Sequence, residues 1–461
     1  MIPGGPGLPK APGRATLRRS IDRRAGMARK FHLGWFLQGS SAQAWGEPWS
    51  GNIGTEWMVP DFFIEMTKNL ERACFDYVLL EDSSYVGESY GGSREIYLHH
   101  GLSTPRQDPS IVAALLARET KRIGIVTTLG TFAYPPYLLA RQIASLDQIS
   151  SGRIGWNAVT GSSDFAARNF GLDGMPPHDT RYDIADEYME VVRKLWGSWE
   201  PGAIVANRET GVLVDHTKVH AIDHQGTYFK VRGPLNSGPC VQGQPVIAQA
   251  GGSPRGRAFA SQHADTIVAM VKGTAGMKAY RDDIRARMAA HGRNPDDCKV
   301  LFLVSPVLGD TEEEARAKHK RRLATSEEQI AKRLAHLSKI TNLDFGALPL
   351  DKPLGSMTTN GHQQSLDEFL KKAGNKTLRE AAEVYSDAGS IPLIGTPDQV
   401  AEQMGAAMEE IGGDGFLITS NETSRRVIAE IADGLAPALQ RRGLTRSSYE
   451  HAMFRDNLRA F

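Results

Sequence analysis

Cysteine is scarce in this 461-residue chain. Cys74, Cys240 and Cys298 are odd in number and far apart, which excludes a disulfide framework or a CxxC metal knuckle and fits a reducing cytoplasm. Apolar runs are short as well: none approaches the ~20 residues of a membrane span, and the basic first segment lacks the apolar core of a secretory signal. Net charge is nearly absent, 54 Lys and Arg against 53 Asp and Glu, which argues against a nucleic-acid surface. That balance is uneven. Residues 1–30 hold eight basic residues and one acid, so the remainder carries 46 basic and 52 acidic side chains, a mildly acidic body. Missing too is a GxGxxG after the first apolar run, the mark of a dinucleotide-binding open sheet.

What is present is an apolar fraction of 41%, enough for a large core. Prolines and glycines crowd positions 3–12, so residues 1–26 read as a disordered basic tail, Met27 as a natural start and 27–461 as the folded domain. From Phe31 the chain alternates short runs rich in Val, Ile and Leu with amphipathic stretches. The runs are Phe31–Leu37, Tyr77–Leu80, Ile123–Leu129, Arg153–Val159, Pro245–Ala250, Thr266–Val271, Lys299–Val307 and Gly415–Thr419. The stretches cover 61–73, 109–120, 135–150, 180–196, 255–263, 275–291, 311–340 and 424–441. Eight such units predict an α/β fold, a closed (β/α)8 TIM barrel, with an open doubly wound sheet as runner-up. Two segments exceed the repeat and are expected as insertions after strands 4 and 7, near the substrate: 200–244, with a hairpin of Val219–Ile222 and Tyr228–Val231, and 342–395.

Polar residues at the C-terminal ends of barrel strands are the candidates for chemistry. Strand 2 ends in Glu81 and Asp82, strand 3 in Thr127 and Thr128, and strand 4 runs through Asn157 toward Thr160 and Ser162. Strand 5 ends in AGGSPRG (250–256). There Gly251 and Gly252 allow close approach, and the Ser253 hydroxyl joins the free N–H groups of the following helix, a phosphate-binding arrangement; a plain helix cap is the alternative.

Longer strings carry a resemblance: PPYLLARQIASLDQISSGRIGWNAVT (135–160), ARNFG (167–171), HDTRYDIADEYMEV (178–191), DHQGTYFKVRGPLN (223–236) and QAGGS (249–253). From about Phe31 to Ala438 the chain resembles the nitrilotriacetate monooxygenase / dibenzothiophene-sulfone monooxygenase group of the bacterial luciferase-like flavin enzymes. The resemblance implies a TIM barrel that uses reduced FMN and O2 to oxygenate a small organic substrate, with C–N, C–S or C–halogen cleavage. It also implies a separate NAD(P)H:flavin reductase as partner and a homodimer or homotetramer. By the same resemblance Asp82, Thr128, Asn157, His178, Tyr182, Gly252 and Ser253 contact FMN: Thr128 and Asn157 the isoalloxazine edge, Gly252 and Ser253 the phosphate, His178 and Tyr182 the ribityl chain or phosphate. No catalytic acid or base is assigned. The pattern departs at Gly39-Ser40-Ser41, where the group often carries Gly-His-His, so substrate identity does not transfer.

Other features read as structural. His216, His220 and His224 recur every four residues but lie in hairpin-like sequence with no acidic or Cys cluster, so no metal is expected. His99 and His100 read as a solvent loop. Lys272 stands where a Schiff-base lyase would place its lysine. Such a lyase, a non-catalytic flavin-binding protein and a deazaflavin-dependent dehydrogenase are the rival readings.

Overall fold

The eight apolar runs are the staves of a closed barrel. The structure, a computed structural model, describes residues 29–38, 59–323, 325–385, 389–420 and 423–461; the 1–26 segment and Gly39-Ser40-Ser41 lie outside them. The strands are β1 (His32–Leu37), β2 (Tyr77–Leu80), β3 (Gly124–Gly130), β4 (Ile154–Val159), β5 (Val246–Gln249), β6 (Thr266–Ala269), β7 (Lys299–Val304) and β8 (Gly415–Ile418). Each pairs in parallel with the next, and β8 closes onto β1 with Gly415 opposite His32. Parallel strands need cover on both faces, and alternation supplies it. On β2, Tyr77 and Leu79 fill the barrel while Val78 and Leu80 meet the surrounding helices.

Those helices are α1 (Asp61–Arg72), α2 (Pro109–Glu119), α3 (Pro136–Ser150), α4 (His178–Trp196), α5 (Pro254–His263), α6 (Thr274–Ala290), α7 (Pro397–Ile411) and α8, which runs through Arg425–Ala429, a π-helical stretch Glu430–Leu435 and Ala436–Arg441. Periodicity misses α7 and makes one helix of 311–340. The latter is two, Glu312–Leu323 and Glu327–Thr341, with Ser326 accepting the Gln329 N–H as cap of the second. The start of α7 is written in the sequence as a capping box, Thr396 with Gln399, and a proline at its first position. Among the described residues no helix is long and apolar enough to cross a membrane.

The barrel floor is pinned by three aspartates, each just before a strand. Asp76 accepts the Leu33 N–H, Asp265 the Ile247 N–H and Asp414 the Val300 N–H, at 2.9, 2.9 and 3.0 Å. Each thereby ties its own strand to the preceding or neighbouring one, and each faces an arginine: Arg446, Arg455 and Arg281. A late helix, Phe454–Leu458, plugs the floor. Its Phe454 ring lies 5.6 Å from the Tyr77 ring, and a side chain at Gly124 would collide with it.

The two insertions part company. Segment 200–244 was expected near the substrate, but none of its residues lines the central cavity. It follows helix α4 rather than strand β4, so it leaves at the floor end: Gln148, at the end of α3, donates to the Ser237 and Pro239 carbonyls, and Gln242 donates to Asp147. Its hairpin pairs His224–Gln225 with Lys230–Val231, shifted from the expected register, and a second joins Ile204–Asn207 to Val212–Val214. The other insertion follows β7 itself and does reach the mouth. It is larger than expected, spanning the whole interval from β7 to α7, and builds its own core around Leu334, Phe345, Phe369 and Tyr385.

Candidate active site

The period of two along β3 and β4 turns Thr128 and Asn157 inward, and the register sets them opposite each other. Asn157 Nδ2 donates to Thr128 Oγ1 at 3.0 Å, while Asn157 Oδ1 is buried with no partner. Gln249, closing β5, also keeps a buried, unpartnered Oε1. Two acceptors without a protein partner at the barrel mouth suit a ligand with hydrogen-bond donors, because leaving such a group unpaired costs about 1–3 kcal/mol. Beyond β2, Glu81 Oε2 accepts from Arg106 at 2.8 Å. Burial pushes the neighbouring Asp82 carboxyl up, with Arg106 opposing.

The starts of α4 and α5 lie side by side. His178 opens α4, and its Nε2 stands 3.3 Å from Ser253 Oγ. Ser253 caps α5 by accepting the Gly256 N–H at 3.0 Å, so the capping role is real. The Tyr182 ring packs edge-on against His178, and the Arg255 guanidinium lies 5.4 Å over it. Gly256 must lack a side chain because a Cβ there would come within 2.8 Å of the Tyr182 hydroxyl. At Gly252 the close neighbour is the Gln364 side chain, from the insertion helix Gln363–Ala373.

All seven residues singled out from sequence line one cavity of about 1570 Å³, set in the C-terminal mouth of the barrel and covered by the insertion after β7. Ordinary small-molecule pockets run to roughly 300–1,000 Å³, so this one has room for a cofactor and a substrate together. Sequence reasoning missed several of its walls. Arg181 is 4% exposed; its Nη2 donates to the Asn360 carbonyl at 3.0 Å, and its Nε and Nη1 have no partner. Lys339, 6% exposed, is pushed down to about 7 by burial and by Arg106, against the pull of Glu81 and Asp82. His362 opens onto the cavity with its side chain accessible there, and partial desolvation, with Arg181 and His336, lowers its imidazole. His100, expected in a solvent loop, also lines the cavity. Lys272 donates to the Gly389 carbonyl at 2.6 Å, a tether rather than the free amine a Schiff base requires. His220 and His224 enter separate pairs, with Glu200 and Glu187.

The sequence profile described as luciferase-like monooxygenase matches residues 32–415. The dibenzothiophene-sulfone monooxygenase of Rhodococcus erythropolis (strain XP) is 35% identical over 440 residues, 93% of this chain and 96% of that protein. Nitrilotriacetate monooxygenase component A of Aminobacter aminovorans is 35% identical over 406 residues, 86% of this chain and 89% of that protein. The crystal structure of a riboflavin lyase with modified FMN and riboflavin superposes with a TM-score of 0.84 at 33% identity, covering 94% of this chain and 96% of that one. These matches run through the barrel, its mouth and the covering insertion alike, and the chain belongs to the luciferase-like monooxygenase family.

Proposed function

We propose that this protein is the oxygenase of a two-component system, taking reduced FMN from a separate NAD(P)H:flavin reductase and using O2 to oxygenate a small organic molecule with cleavage of a C–N, C–S or C–halogen bond. The observation that carries the reading is the pair of orphaned acceptors, Asn157 Oδ1 and Gln249 Oε1, above a closed floor. They suit the N–H groups of a flavin ring. In this reading Thr128 and Asn157 hold the ring edge, Asp82 lies beside it, Gly252 and Ser253 hold the phosphate, and His178 and Tyr182 meet the ribityl chain or phosphate. Bound reduced FMN supplies the electrons that activate O2. The protein orients the ring, and the insertion after β7 keeps water from the reacting centre. Support for the second component comes from the relative named component A, and for FMN from the riboflavin lyase complex.

The decisive experiment is oxygen uptake with FMN, a reductase and a panel of sulfur, amine and halogenated compounds. Uptake is expected to rise with a substrate, and reduced FMN is expected to bind more tightly than oxidised FMN in anaerobic fluorescence titration. Equal or reversed affinities would count against capture of a diffusing reduced flavin. Two further proposals concern the whole molecule. The first is a cytoplasmic homodimer or homotetramer, its self-association favoured by exposed Ile111 and Leu115 on α2 and exposed Leu138 and Ile149 on α3. Deleting residues 1–26 is expected to leave turnover and FMN affinity unchanged, because every proposed contact comes later in the chain. A loss beyond about tenfold, some 1.4 kcal/mol on the barrier, would make that segment structural.

A further inference from the structure

Among the cations that line the cavity, Arg181 and Lys339 are buried, and the proposed flavin contacts use neither. Arg181, on the first turn of α4, spends one Nη2 hydrogen on the Asn360 carbonyl and leaves Nε and Nη1 without an acceptor. The carboxylate that acts on it, Asp164, is already engaged by the Met175 N–H and Asn342 Nδ2. Lys339, on the insertion helix Glu327–Thr341, lines the same cavity, with its Nζ 5.3 Å from the centre of the Tyr85 ring and within the field of Glu81, Asp82 and Arg106. The two approach one stretch of chain: the His362 N–H donates to the carbonyl of Ile340, next to Lys339, and Arg181 holds Asn360, two residues before His362. A buried guanidinium with idle donors is expensive unless an anion completes it.

We propose that Arg181 and Lys339 bind an oxyanion group of the substrate, a carboxylate or sulfonate, and so select anionic substrates. The proposal rests on the monooxygenase reading for what happens to that substrate, but not for the anion site itself. Arg181 supplies the fixed charge from the barrel and Lys339 the charge from the insertion, so an anion bound between them also holds the insertion down over the mouth. The groups facing Lys339 are Glu81 and Asp82 beyond β2, Tyr85 beneath its amine and Arg106 from the loop before α2, and His336 stands one turn back on its own helix.

The test is calorimetric titration of the FMN-saturated protein, whose cofactor occupies the phosphate cradle, with benzenesulfonate and its uncharged isostere methyl phenyl sulfone. The sulfonate is expected to bind at least about tenfold more tightly. Arg181→Met and Lys339→Met should each remove about tenfold of that preference while FMN affinity is unchanged, and Lys339→Arg should retain it. Because the Lys339 amine is held near 7, sulfonate binding by the parent protein should weaken as the pH is raised through 7 and should stay level in Lys339→Arg. Equal binding of the two probes overturns the proposal, as do variants that lose FMN instead of the sulfonate, which would make these cations cofactor ligands. Should a variant fail to fold, the probe comparison and pH series on the parent protein decide it. If FMN itself does not bind, the flavin reading fails, and the same probe pair on the flavin-free protein still decides the anion site.

Discussion

Ser253→Glu is expected to weaken FMN binding by about a hundredfold or more while costing riboflavin, which lacks the phosphate, only a few-fold. Two unit charges 4 Å apart interact by about 4 kcal/mol at the effective dielectric of a protein surface, and partial solvent access reduces that; each ~1.4 kcal/mol is tenfold in affinity. The glutamate carboxylate would also compete for the free N–H groups of α5 that an anion needs. It can still accept the Gly256 N–H that Ser253 now takes at 3.0 Å, so the helix start is preserved and circular dichroism should be unchanged. Parallel titrations with FMN and riboflavin check the result. Equal losses would put the phosphate somewhere other than the start of α5.

Asp76→Asn should destabilise the fold by about 3–5 kcal/mol near neutral pH, the cost of leaving a buried charge without its partner. Asp76 is 2% exposed, accepts the Leu33 N–H, and meets His32 at 3.0 Å and Arg446 at 2.9 Å. Burial alone would push its carboxyl up; His32, Arg446 and the hydrogen bonds outweigh that and hold it below the ordinary carboxylate value. A group depressed on folding contributes stability above its unfolded pKa, and that stability drains away as the pH falls through the folded value. The gap between parent and variant in urea unfolding should therefore be full at neutral pH and narrow on acidification below the unfolded carboxylate value. A gap that is constant across pH would show that Asp76 acts through shape and not through charge.

The barrel was legible because strands buried on both faces leave unbroken apolar runs, and all eight appear where those runs stand. Thr128 and Asn157 stood out as polar residues toward the C-terminal ends of strands 3 and 4, and Ser253 from the Gly-Gly-Ser-Pro turn into a helix. The insertion at 200–244 was misplaced for a topological reason: loops after strands reach the mouth, whereas loops after helices return to the floor, and this one begins where α4 ends. Arg181 lay hidden between two residues already noticed, His178 and Tyr182, because its burial depends on Asn360, 179 positions later. Lys339 gives no local signal at all. A lysine on an amphipathic helix reads as solvent-facing until the fold sets it under Arg106 and over Tyr85.

The helix that plugs the floor imposes an order on biosynthesis. Phe454 packs between Tyr77 of β2 and Gly124 of β3, strands that leave the ribosome more than three hundred residues earlier, and β1 waits for β8 as its second neighbour. At about 5–20 residues per second, the nascent chain spends tens of seconds with an open sheet edge and an unsealed apolar interior. The barrel therefore cannot seal until its last strand and its floor helix have both been made, and until then its apolar interior is open to association with other chains.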